Sequence, residues 1–99
     1  MHFAIISTDV PDSLPLRMTV RDQHLARLHE LSEAGRLLIA GPHPVTDEIN
    51  PEKPAFSGSL VVADFDSLDS AQQWADEDPY IKAGVYAKVT VKPFLKVLP

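Results

Sequence analysis

Arg36-Leu-Leu-Ile-Ala-Gly41 and Gly58-Ser-Leu-Val-Val-Ala-Asp-Phe65 are two short apolar runs with no helical pattern between them, and that succession decides the fold. Pro42-His43-Pro44 ends the first run, because proline removes a ladder donor and restricts the residue before it. A polar, proline-bearing loop from Val45 to Ala55 leads to the second run, whose apolar centre suggests a strand covered on both faces or lying in an interface. On the N-terminal side, residues 2 to 8 form a first strand, broken off by Asp9-Val-Pro-Asp-Ser13. Leu14 to Met18 make a short helical turn. Thr19, with Asp22 three residues later, reads as a capping box that starts a helix. Leu25, Leu28, Leu31 and Ala34 give that helix one apolar stripe, and Gly35 supplies a left-handed stop. On the C-terminal side, Ser67 caps a second helix with Asp69 in its first turn and Ala71, Trp74 and Ala75 on its buried face. Asp78-Pro79 ends it, a turn runs from Tyr80 to Gly84, Val85 to Val91 alternates as a fourth strand, and Phe94 to Leu98 add a short edge strand after Pro93. The order is βαββαβ.

In a short chain this order points to an α+β, ferredoxin-like split βαβ fold, with an antiparallel sheet in the order 4-1-3-2 and both helices on one face. A chain of 99 residues holds one modest core, so a single domain over residues 1–99 is expected. Nine basic residues against 14 acidic ones leave a net charge of −5, which argues against nucleic acid as a partner. There is no cysteine, which excludes disulfides, thiolate metal sites and a cysteine nucleophile. No apolar stretch is long enough to span a bilayer, and Met1 to Ser7 carries no basic flank before a long apolar run, so a cytoplasmic protein without membrane contact is expected. Gly-rich phosphate loops, Gly-x-Ser-x-Gly elbows and dinucleotide fingerprints are missing from the sequence, and no cofactor is expected. His29 lies off the face of His24, no His/Asp/Glu set has metal-site spacing, and no metal is expected.

The expected topology gathers one set of residues at one end: Ser7, Thr8 and Asp9 closing the first strand, Arg21 and His24 opening the first helix, Gly41, Pro42 and His43 closing the second strand, and Asp78 and Tyr80 closing the second helix. Many short segments also match a known family in order: Arg21 and His24, Gly35-Arg-Leu-Leu38, Ala40-Gly-Pro42, Phe56-Ser-Gly-Ser59, Ala71-Gln-Gln-Trp-Ala75, Asp78-Pro-Tyr80, Ala83-Gly-Val-Tyr86 and Val91-Lys-Pro-Phe94. On these residues the chain resembles the YciI-like (YCII-related) proteins over nearly its whole length. The resemblance implies ferredoxin-like subunits paired in a dimeric α/β-barrel, and a His-Asp site that carries over to His24 and Asp78. One member of that family is similar to a dehydrochlorinase acting on a chlorinated hydroxyhydroquinone, which implies proton-transfer chemistry.

The residues support that chemistry on their own terms. Histidine exchanges protons near neutral pH, and a carboxylate on one ring nitrogen fixes its tautomer and raises its basicity. Arg17 or Arg21 would hold a carboxylate or enolate oxygen by a forked hydrogen bond, Gly41-Pro42 would let backbone approach a ligand, and Tyr80 would line the pocket. These parts suit isomerisation or elimination beside a carbonyl on a small-molecule ligand. The alternative is a non-catalytic module that holds a metabolite in the same cavity. A homodimer is expected on physical grounds as well, because two short helices leave sheet surface bearing Leu60, Val62, Val89 and Val91 uncovered.

Overall fold

The computed structural model describes residues 1–48 and 52–99. Strand β1 (His2–Asp9) leads into helix α1 (Leu14–Glu33), strands β2 (Leu37–Pro44) and β3 (Phe56–Asp64), helices α2 (Leu68–Asp76) and α3 (Pro79–Lys82), and strand β4 (Tyr86–Phe94). The strands form one four-stranded sheet in the order β2-β3-β1-β4, with every neighbouring pair antiparallel. This is the ferredoxin-like order read from the sequence.

Side-chain alternation divides the sheet into two faces. Phe3 and Ile5 of β1 pair with Ala63 and Val61 of β3, and all four pack with Leu31 of α1 and Ala71 and Ala75 of α2. Both helices therefore cover this face. Val89 and Val91 pack against the same cluster. That corrects the expectation that they share uncovered sheet with Leu60 and Val62: β4 pairs Ile5 with Val91 and Ser7 with Val89, which turns both valines toward the helices, and Val62 on the opposite face is itself only 4 % exposed. The opposite face carries Ala4, Ile6, Leu60 and Val62.

Two of the expected element boundaries shift because the outer strands tolerate proline. An outer strand leaves half of its backbone groups without a ladder partner, so a missing N–H there costs little. Strand β2 runs through Pro42, opposite Ser59, to Pro44, opposite Phe56. Strand β4 continues through Pro93, opposite Phe3, to Phe94. The separate edge strand expected over Phe94 to Leu98 does not form, and Leu95, Val97 and Leu98 are 75 %, 78 % and 83 % exposed. Part of the 45–55 loop, residues 49–51, lies outside the described residues.

Helix α1 also differs in detail. It contains a non-helical residue, Val20 (φ −132°, ψ 17°), where a first helical segment meets the main helix. Two helical pieces meeting near Thr19 were legible in the sequence, but the capping box was not: the Thr19 hydroxyl donates back to the Leu16 carbonyl at 2.6 Å. A Ser or Thr side chain that bonds backward along a helix is free of the N-cap role and favours a bend. Ser67 does cap α2, accepting from the Ser70 N–H at 3.0 Å, and Gly35 takes the left-handed conformation (φ +71°).

Candidate functional site

Asp78 owes its place to local backbone chemistry. The residue is extended (φ −62°, ψ 132°), as the residue before a proline prefers, and its side chain caps α3 by accepting from the Tyr80 N–H at 2.9 Å. Pro79 occupies the first helical position, where its missing N–H is harmless. This turn aims the carboxylate inward and brings Tyr80 over it. Both residues are buried, at 4 % and 2 % exposure.

His24 reaches the same point from α1. Its Nδ1 lies 3.0 Å from Oδ1 and 2.9 Å from Oδ2 of Asp78, with both side chains buried. An ionised carboxylate only accepts, so Nδ1 donates and the lone pair of the neutral ring is at Nε2. The imidazole lies flat on the Tyr80 ring, centroids 4.0 Å apart and planes 7° apart. The juxtaposition expected from strand and helix order is therefore direct contact.

Arg17 also lies against Tyr80, with its guanidinium carbon 5.1 Å from the Tyr80 ring centre and 5.0 Å from that of Phe56. Its Nε donates to Asp9 Oδ2 at 2.7 Å, and its Nη2 donates to Asp9 Oδ1 at 3.0 Å and to the Gly58 carbonyl at 3.1 Å. Burial works to lower the Arg17 pKa, but the hydrogen bond and charge of Asp9 prevail and the guanidinium is held above its ordinary value. The forked face assigned from sequence to a ligand oxygen is thus occupied by Asp9. Arg21, one turn along α1 and exposed, is the arginine whose fork remains available.

A cavity of about 460 Å³ opens on the helical side of the sheet, within the range of small-molecule sites. Arg17, Arg21, His24, Gly41, Pro42 and Tyr80 all line it. Asp78 stands behind His24 and orients it from outside the wall. His43 is not among the lining residues. A Cβ on Gly41 would meet nothing within 4 Å, so close packing inside the subunit does not require glycine there. Among the described residues, no group of three or more His, Cys, Asp or Glu is arranged to hold a metal ion.

Sequence reasoning missed Phe56 and Ser59, which also line the cavity. Antiparallel pairing of β2 and β3 sets Ser59 opposite Pro42, so the expected strand order contained the signal. Asp9 was placed at this end of the fold by the strand order, but its role as the partner of Arg17 was not foreseen: it is 8 % exposed and bonded to Ser13 and Arg17. Ser13 Oγ donates to Asp9 Oδ2 in place of capping α1.

A ferredoxin-like sheet with both helices on one face, and a His-Asp pair at a cavity of small-molecule size, describe an α+β protein with a built pocket. The YCII-related domain matches residues 1–95, and the chain belongs to this family. Protein YciI of Escherichia coli is 54 % identical over 97 residues, covering 98 % of this chain and 99 % of the relative. An uncharacterised Haemophilus influenzae protein is 52 % identical with the same coverage. Among solved structures, the 5-chloro-2-hydroxyhydroquinone dehydrochlorinase of Burkholderia phenoliruptrix, in complex with 2,5-dihydroxybenzoquinone, superposes with a TM-score of 0.84 at 28 % identity, covering 96 % of this chain and 94 % of that one. No described helix is long and apolar enough to cross a membrane.

Proposed function

We propose that this protein is a small-molecule enzyme in which His24, oriented by Asp78, moves a proton on a planar, oxygen-bearing ring held in the cavity. The observation that carries the reading is the bonding of His24 Nδ1 to both Asp78 oxygens with the imidazole at the cavity wall. A ring nitrogen tied to a carboxylate leaves the opposite nitrogen as the base, and general-base catalysis of this kind contributes on the order of 100- to 10,000-fold. The likeness to a dehydrochlorinase solved with a dihydroxybenzoquinone suggests the ligand class, a quinol or quinone of one ring.

The step is a proton abstraction. Nε2 takes a proton from carbon beside a carbonyl, and the freed C–H pair forms a C=C bond as the carbonyl π pair moves onto its oxygen, giving an enolate. Where the next carbon bears chloride, the C–H pair forms the C=C bond to that carbon as the chloride departs with its bonding pair, so that HCl is lost overall. The imidazolium then releases its proton to solvent or returns it to another ring position. Arg21 faces the developing enolate or phenolate oxygen, and the positive charge of Arg17, also at the cavity wall, lies against Tyr80. The working unit in this proposal is a homodimer, joined through the sheet face that carries Ile39 and Leu60.

The test is turnover of quinols, aromatic lactones and chlorinated hydroxyhydroquinones by the wild type and by His24→Ala, followed by chloride release and ultraviolet spectra. Wild-type turnover that drops by at least about 100-fold in His24→Ala is expected. Turnover that survives the substitution rules out His24 as the base. Saturable binding of a quinol without turnover by the wild type instead supports a metabolite-binding module.

A further inference from the structure

Arg27 is one turn beyond His24 on α1 and turns toward the same carboxylate. Its Nη1 lies 3.6 Å from Asp78 Oδ2 and, although buried, has no hydrogen-bond partner. Its Nη2 donates to the Trp74 carbonyl at 2.7 Å, and the guanidinium carbon lies 4.2 Å from the centre of the Trp74 ring. The Trp74 carbonyl is available because α2 tightens as it ends: the Asp78 N–H, its expected helical partner, bonds to Ala75 instead. The end of α2 therefore holds Arg27 by a carbonyl and an aromatic face, with one nitrogen left over beside Asp78. Arg27 does not line the cavity.

A buried carboxylate with only a histidine beside it would draw a proton onto that histidine, since an imidazolium is its nearest available counter-charge. A protonated His24 cannot accept a proton from a ligand. Arg27 removes that demand, because a guanidinium is permanently charged and 3.6 Å from the carboxylate. We propose that Arg27 is a positioning residue that compensates the charge of Asp78, so that the carboxylate can hold His24 without needing an imidazolium as its counter-charge. The other groups around the pair are Arg21 on α1, Arg17 on α1 with Asp9 of β1 on its fork, Tyr80 of α3 and Tyr86 of β4. Glu77, next to Asp78 in the chain, is exposed and bonded to Gln73. Arg17 is already paired, which leaves Arg27 as the cation nearest Asp78.

The proposal deepens the reading of His24 as a base, but its test needs no turnover. Imidazole nitrogen shifts of the ¹⁵N-labelled full chain are followed against pH, with His24 assigned by its absence in His24→Gln. In Arg27→Gln the His24 midpoint is expected to rise by about one pH unit, while Arg27→Lys, which keeps the charge, stays close to the wild type. Arg27→Met, which keeps an aliphatic stem over Trp74, reads the same effect where the glutamine variant does not fold. An unchanged midpoint in the folded neutral variant overturns the proposal. A raised midpoint in a protein that turns over no quinol leaves the Arg27 coupling standing and removes only the base reading.

Discussion

Tyr86 ends a buried polar chain that runs beneath the cavity. Its hydroxyl lies 2.7 Å from Ser59 Oγ, and Arg17, forked on Asp9, donates to that same oxygen at 3.4 Å. Burial pushes the Tyr86 phenol up to about 12 against the partial relief of its bond to Ser59. Below pH 10 the folded and unfolded chains both keep this proton, and its contribution to stability is constant. Between about 10 and 12 only the folded chain keeps it, so stability falls as pH rises and the loss is complete once the folded phenol has titrated. Tyr80, raised chiefly by burial, acts in the same direction. Denaturant midpoints measured from pH 9 to pH 12 are expected to show a decline on the order of 2 kcal/mol that is largely absent in Tyr86→Phe. An equally steep decline in the variant would assign the effect elsewhere. The reach of Arg17 was legible only in part, because a sequence shows a cation near a pocket but not the buried aspartate that takes its fork.

The strands and helices were legible wherever local chemistry and packing agree. Ser67, Gly35 and the stripe of Ala71 and Ala75 each do what their types favour. Thr19 and the prolines of β2 and β4 were misread because tertiary position decides them: a hydroxyl can bond backward or forward, and proline is tolerated on an outer strand. Gly58 is the element-level feature with the largest consequence. A Cβ there would overlap the Ser7 carbonyl on the neighbouring strand, beside the pairing irregularity at Thr8 and Asp9. Gly58→Ala is therefore expected to cost about 3 kcal/mol in urea unfolding, because backbone must move to admit the methyl group. Gly41→Ala, whose Cβ meets nothing, is expected within about 0.5 kcal/mol of the wild type. Equal costs at the two glycines would show that strand propensity, rather than the Ser7 contact, governs both.

Across the whole molecule, the order β2-β3-β1-β4 accounts for both the site and the proposed assembly. It brings His24 and Asp78, 54 positions apart in sequence, into hydrogen-bond contact, and this pairing was the part of the site most legible from topology. It also puts both helices on one face, leaving Ile6 and Leu60 half-buried and Ile39 of β2 56 % exposed. A second copy covering that face is expected to give a dimer mass by light scattering at micromolar protein, with Leu60→Lys shifting it to monomer. A monomeric wild type would overturn the assembly. The pair itself is best probed by Asp78→Asn, which keeps the shape of the carboxylate but adds an amide N–H donor. An amide donating to Nδ1 moves the imidazole hydrogen to Nε2, and the base is lost with little change in packing. Quinol turnover by this variant, with ¹⁵N imidazole spectra confirming the tautomer, is predicted to fall at least about 100-fold. A rate equal to the wild type with the hydrogen on Nε2 would contradict proton abstraction by a His24–Asp78 pair.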